Sequence, residues 1–153
     1  MLTDCNNLLD ERIDLYELEK LRDVYERQVK RGQPSTEARF SFAHGLIKST
    51  KEDVRQGITL LEGLLRENAD DVGVRDYVYY LAVGHARLKD YDRAKAYIDT
   101  LLSAEGGNRQ ALALKQLIEK KMTQEGLLGA AVLGGGLITV LGIGAALLFS
   151  AKK

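Results

Sequence analysis

RDYVYYLAVGHARLKDYDRAKAYIDTLLSAEGGN, residues 75–108, is the stretch whose reading decides the fold. Its apolar residues recur at helical spacing and never alternate as they would in a half-buried strand. Two helices are expected, Val74–Leu88 and Asp92–Leu102, joined at Lys89-Asp90-Tyr91. The small residues Ala82 and Ala94 stand 12 apart, one on each helix. A small side chain where two helices cross lets their backbones come close, so the pair reads as a tightly packed helix hairpin.

The same signature lies upstream. GITLLEGLL (57–65) superposes on AKAYIDTLL (94–102), small residue on small residue and Leu-Leu on Leu-Leu. Ala43 then matches Ala82, with 14 residues to Gly57 instead of 12, which predicts a turn two residues longer in the first hairpin. Further out, Leu15, Leu18, Leu21, Val24, Tyr25 and Val29 form the stripe of a first helix, broken at Gly32, Gln33 and Pro34 (the only proline). Ser35-Thr36-Glu37 supplies an N-cap for a helix carrying Phe40, Phe42, Ala43, Leu46 and Ile47. Ser49 to Asp53 reads as a polar turn, and Val54, Ile58, Leu61, Leu64 and Leu65 mark the third helix. After Gly106-Gly107-Asn108 a last helix holds Leu112, Leu114, Leu117, Ile118 and Met122, expected to run on almost without interruption at Gly126. The fold class is all-α: a six-helix bundle in one domain, 1–125, with hairpins about 36–69 and 75–108. The 34-residue unit is of the tetratricopeptide type. Leu81-Ala82-x-x-His85 stands for that pattern's Leu-Gly-x-x-Tyr, and Ala94-x-x-x-Ile98 for its Ala-x-x-x-Phe. Val78 for Trp, His85 for Tyr and Gly106 for Pro are its departures.

Beyond the domain, Gly126 to Ala151 contains no charged side chain, and Lys152-Lys153 end the sequence. As a helix those 26 residues would extend about 39 Å at ~1.5 Å per residue, more than the ~30 Å hydrocarbon core of a bilayer. Thr139 and Ser150 are the only side-chain hydroxyls, and helix carbonyls can satisfy both. The segment is expected to be one transmembrane anchor, 126–151, with 152–153 as a basic tail. No basic region followed by an apolar stretch opens the N-terminus, so neither a secretory signal nor a presequence is expected there. Residues 1–125 are then cytosolic, an inference from position, because Lys120 and Lys121 balance Lys152 and Lys153. Ala131, Gly135, Thr139, Gly142, Ala146 and Ser150, spaced 4, 4, 3, 4 and 4, form one ridge of small residues. Such a ridge permits helix packing in lipid and hence a homo-oligomer, although small residues also simply moderate hydrophobicity.

All 22 acidic residues lie in 1–125, against 20 of the 22 basic ones, giving the domain a formal charge of −2. That balance argues against nucleic acid as a partner. A single cysteine, Cys5, excludes an internal disulfide framework and fits a reducing compartment. No catalytic constellation, phosphate loop, cofactor site or metal site is evident. His44 and His85 lack a second ligand at helical spacing, and His85 reads as a packed, satisfied core histidine. Glu17–Lys20 and Arg87–Asp90 read as ordinary charged helix faces. Stacked hairpins instead offer a concave face lined by the first helix of each repeat. Helical spacing places Phe40, His44, Ile47 and Lys48 there from one repeat, and Tyr79, Val83, Ala86 and Arg87 from the other. An apolar, aromatic groove rimmed by two cations suits a helical or extended peptide of some acidic character.

FAHGLIKS (42–49), RQGITLLEGLL (55–65), RDYVYYLAVGHARLKDYDRAKAYIDTLL (75–102) and GLLGAAVLGGGL (126–137), in that order, resemble the mitochondrial fission 1 family. The resemblance covers nearly the whole chain. It implies a non-enzymatic adaptor anchored in the mitochondrial outer membrane, and also in peroxisomes, that helps recruit a dynamin-related GTPase directly or through a second adaptor. It also implies that the concave groove is the docking surface, which the N-terminal arm can occupy. Residues 1–12, with Leu2, Leu8 and Leu9, would be that arm. Two departures stand out: His44 replaces an aromatic residue common after the Ala of repeat one, and the turn Lys48–Asp53 is about one residue shorter than in familiar members. The alternative is a tail-anchored chaperone-docking receptor or tether. A carboxylate clamp would need several Lys and Asn residues in the groove, and only Lys48 and Arg87 qualify. A channel or intramembrane enzyme would need more polar groups in the span than Thr139 provides.

Overall fold

The computed structural model describes residues 8–69 and 72–126. Six helices follow one another: α1 Leu15–Lys30, α2 Thr36–Ile47, α3 Lys51–Glu67, α4 Val74–Arg87, α5 Tyr91–Ala104 and α6 Arg109–Gln124. Local chemistry starts most of them. Asp14, Ser35, Thr50 and Asn108 each accept hydrogen bonds from main-chain N–H groups of the first turn that no helical carbonyl can reach. Each helix packs on the next, and α4 also touches α2 and α6, so α2, α4 and α6 line one side of a stack with α3 and α5 behind.

The main core gathers Ala43, Ile47, Leu61, Leu81, Ala82, Ala94, Ile98, Leu114 and Ile118 from five helices. A smaller cluster of Leu18, Phe42 and Leu46 docks α1 onto α2. Because α1 packs chiefly on α2, only a narrow strip of it is covered. Leu15, predicted on the buried stripe, is 73% exposed, and Val24 and Val29 are exposed as well.

The extra residues of the first repeat lie elsewhere than predicted. Three residues separate the helices in both hairpins, 48–50 and 88–90. The difference is helical: α3 starts six residues before Gly57, whereas α5 starts three before Ala94. Thr50 caps α3 early, and the Ser49 hydroxyl donates to Asp53 at 2.6 Å, which winds residues predicted as turn into the helix. α6 stops at Gln124, correcting the expectation of a near-continuous run into the tail. Gly126 has φ +72°, and its N–H reaches back to the Thr123 carbonyl. A left-handed glycine just past the last turn is a helix stop. Among the described residues no helix is long and apolar enough to cross a membrane. The predicted anchor, its small-residue ridge and the first seven residues of the arm lie outside the described residues.

Candidate partner-binding site

α2 and α4 run side by side in the same direction, and each carries acid, ring and cation in that order. On α2 these are Glu37, Phe40, His44 and, at the C-cap, Lys48. On α4 they are Asp76, Tyr79, Tyr80 and Arg87. Acids near helix N-termini and cations near C-termini also complement the helix dipoles. Between the charged ends the rings form a continuous aromatic floor. Phe40 lies 5.7 Å from Tyr77 and 5.9 Å from Tyr80, His44 meets Tyr80 edge-on at 4.6 Å, and Tyr79 meets Tyr80 edge-on at 5.1 Å. Burial, then the neighbouring Lys48, lowers the His44 pKa below its ordinary value. Burial, then Asp76 and Glu11, raises that of Tyr80.

The cationic end is covered by the chain's own N-terminal arm. Arg87 Nη1 donates to the Leu8 carbonyl at 3.0 Å. Lys48 Nζ stands 3.8 Å from Glu11 Oε1, and the Ile13 N–H donates to the Lys48 carbonyl at 2.9 Å. Leu8 and Leu9 are half-buried against the main core. Arg87 is itself half-buried, and its pKa is lowered by that burial and by Arg12. The Arg87–Asp90 pair read from the sequence does not form. Asp90 faces Arg93 at 3.6 Å and His85 at 3.5 Å instead.

Of the eight groove residues named from sequence, Phe40, His44, Lys48, Tyr79 and Arg87 are partly exposed along this face. Ile47, Val83 and Ala86 are not available: they are 0%, 1% and 2% exposed and belong to the main core. For Ile47 the cause is explicit. Its Cδ1 occupies the space that a Cβ on Gly57 or Gly84 would fill, 3.2 Å and 2.8 Å away, so two backbones close over it. Sequence reasoning missed Tyr80, although it stands seven residues before Arg87 and therefore shares its face. It also left out Glu11, for which periodicity gives no signal.

His85 is packed, 5% exposed and stacked on Tyr97 with centroids 5.6 Å apart, and its Nδ1 lies 3.5 Å from Asp90 Oδ2, too long for a good hydrogen bond. Neither ring nitrogen makes a hydrogen bond among the described residues. It faces α5, away from His44 and its ring contacts across α2 and α4. Among the described residues no three His, Cys, Asp or Glu side chains are placed to hold a metal ion.

These features define a tetratricopeptide-like helical-repeat domain that carries an aromatic face with charged ends across two parallel helices. Profiles of the Fis1 N-terminal and C-terminal tetratricopeptide repeats match residues 37–68 and 75–127. The FIS1-related protein fis-2 of Caenorhabditis elegans is 49% identical, covering 97% of this chain and 99% of that one. The mitochondrial fission 1 protein of Homo sapiens is 39% identical, covering 89% and 90%. The crystal structure of yeast Fis1 in complex with an Mdv1 fragment superposes with a TM-score of 0.69 at 35% identity, covering 78% and 92%. The chain belongs to the mitochondrial fission 1 family. It is accordingly a non-enzymatic adaptor of the fission machinery, associated with mitochondria.

Proposed function

We propose that the α2–α4 face of this adaptor is where the division machinery docks, whether a dynamin-related GTPase or an adaptor that carries one. The observation that supports it best is the occupied cationic end. A half-buried arginine and a partly buried lysine are held there by one main-chain carbonyl and one carboxylate, groups that another polypeptide also carries. Yeast Fis1, the structural relative, is itself seen bound to an Mdv1 fragment. In this reading 1–125 is the cytosolic unit, 126–151 anchors it in the mitochondrial outer membrane and in peroxisomes, and the ridge Ala131, Gly135, Thr139, Gly142, Ala146 supports self-association. Residues 8–13 hold the face closed until a partner displaces them.

Two measurements test this. Overexpression should fragment mitochondria and peroxisomes, and Arg87→Glu with Lys48→Glu should abolish that effect while the protein stays on the organelles. Photocrosslinkers at Phe40 and Arg87 should capture a dynamin-related GTPase or its adaptor. Capture of a chaperone with unchanged organelle shape would replace the fission reading by the receptor reading. For the ridge, Gly135→Leu with Gly142→Leu should diminish crosslinked dimers, and undiminished dimers would remove it.

A further inference from the structure

We propose that the N-terminal half of the α2–α4 face is a seat for a guanidinium group: the docking polypeptide lays an arginine on the rings of Phe40 and Tyr80, between Glu37 and Asp76. The inference rests on that face being the docking surface, and it specifies what the end remote from Lys48 and Arg87 recognises.

Ring geometry supplies the platform. Phe40 and Tyr80 are both partly exposed, with centroids 5.9 Å apart and planes at 63°, so one cation can lie within about 6 Å of both. The third ring, His44, meets Tyr80 edge-on. Burial, then Lys48, lowers its pKa below 6.5, so it is uncharged at neutral pH and does not repel a cation. Charge supplies the preference. Glu37 stands one turn before Phe40, and Asp76 one turn before Tyr80, near enough to raise the pKa of that phenol further after burial has raised it. The neighbouring cations that could neutralise these acids are drawn to the back of the stack. Arg39 pairs with Glu67 at the end of α3, and Arg75 Nε lies 2.7 Å from Glu105 at the end of α5. Among the described residues neither Glu37 nor Asp76 makes an ion pair. The domain's own cation–π contacts, Lys20 over Tyr16 and Arg22 over Phe42, lie elsewhere. A guanidinium suits this surroundings better than an ammonium, because it is planar, weakly hydrated, stacks on a ring and forks onto a carboxylate. Repetition sets the spacing. Glu37 precedes Lys48, and Asp76 precedes Arg87, by 11 residues, three helical turns or about 16 Å. Both helices thus present the same polarity over the same span, so a segment with a carboxylate at the Lys48 and Arg87 end places its arginine about 16 Å away. The last turn of α6 lies at that cationic end, where Glu125 meets Tyr91 and Lys89, so the ring seat is remote from the point where the chain leaves the domain.

The test uses the full chain in phosphatidylcholine nanodiscs and a phage-displayed library of random peptides, counter-selected on empty nanodiscs. Recovered peptides should be enriched in arginine over the input library. The strongest of them, made synthetically, is followed by fluorescence anisotropy. Replacing its arginine by citrulline removes the charge at nearly constant shape and should weaken binding about five- to tenfold. Glu37→Gln with Asp76→Asn changes two exposed side chains and spares the core. On that variant the arginine and citrulline peptides should bind alike. Phe40→Leu keeps an apolar side chain without the ring and should shrink the same difference. Recovery of no peptide, absence of arginine enrichment, or an arginine–citrulline difference that survives Glu37→Gln with Asp76→Asn overturns the seat. The outcome is separable from the docking reading. If the crosslinkers at Phe40 and Arg87 capture division proteins while arginine is not selected, docking stands and the seat falls. If they capture none, docking itself falls whatever the library yields.

Discussion

The two hairpins share a topology and a three-residue turn, yet they are held together differently. In the first, both helices begin with a side-chain cap, Ser35 and Thr50, and the crossing is a glycine. A Cβ on Gly57 would sit 3.0 Å from the Ala43 carbonyl oxygen, so the backbones touch. In the second, neither Gly73 nor Asp90 makes a side-chain cap, and the crossing has Ala94 in place of glycine. Its turn places Lys89 at φ +62°, with the Lys89 and Asp90 N–H groups reaching back to the Ala86 and His85 carbonyls. That is the place where helices usually end on glycine. The unsatisfied imidazole of His85 abuts the same turn. Hairpin two offsets these costs with size: Tyr77, Tyr91 and Tyr97 are buried in it, and α6 covers it, with the Tyr91 hydroxyl donating to Glu125 at 2.8 Å. One repeat pattern thus tolerates either good local chemistry or good tertiary cover.

The largest break in that contrast should come from Phe42. It is 1% exposed, its ring lies 5.0 Å from Tyr25, and it joins α1 to hairpin one. Phe42→Ala should lower unfolding free energy by about 3–5 kcal/mol in urea titrations. Hydrogen exchange should speed in α1 and α2 before α5. Equal acceleration everywhere would show that the small cluster is no separate unit.

Exchanging the crossing residues comes next. Gly57→Ala improves helix propensity by about 1 kcal/mol, but the new methyl meets a main-chain oxygen that cannot rotate away. Overpacking of about 1–3 kcal/mol should win, so the variant melts lower than wild type. Ala94→Gly should also lose about 1 kcal/mol, through the backbone rather than through a clash. A stabilised Gly57→Ala would mean that hairpin one is looser than its crossing indicates.

The turns should respond with opposite signs. Thr50→Ala removes a cap and should cost about 1 kcal/mol. Lys89→Gly relieves a left-handed lysine and should gain up to about 1 kcal/mol, less whatever its exposed 3.8 Å pair with Glu125 contributes. Thermal melts of the two variants on opposite sides of wild type would sharpen the contrast, and shifts of one sign would break it.

Most of the architecture is legible in the sequence because it is local. Ser35 and Asn108 announce helix starts, and Ala82 with Ala94 announces a crossing. What is illegible depends on a third partner. A single helix gives no hint that Ile47 is roofed by Gly57 and Gly84, or that Leu15 stays exposed among the described residues. The bond from Arg87 to Leu8 joins residues 79 apart, and no periodicity encodes it. Helical spacing alone therefore puts three core residues, Ile47, Val83 and Ala86, on the groove floor.

The smallest effect is the pH dependence of hairpin two. Burial lowers the pKa of His85 below 6.5, opposed by Asp90 and reinforced by Arg93, with Tyr97 stacked alongside. Below pH 6.5 the unfolded chain binds a proton that the folded chain does not yet accept. Stability is therefore fully present above pH 6.5 and falls as pH drops toward the folded pKa, with a slope of at most about 1.4 kcal/mol per pH unit for one group. His44, also lowered by burial, adds to the same window from hairpin one. The carboxylate of Glu67, lowered by Arg39, acts only below its ordinary 4.5. His85→Phe should keep the stack on Tyr97 and remove two buried nitrogens without hydrogen bonds, losing only the long 3.5 Å contact with Asp90, so it should be at least as stable as wild type at pH 7. Its loss between pH 6.5 and 5.5 should be the shallower one, leaving the part due to His44. An unchanged slope would assign the whole dependence to hairpin one and make the buried imidazole of hairpin two electrostatically silent.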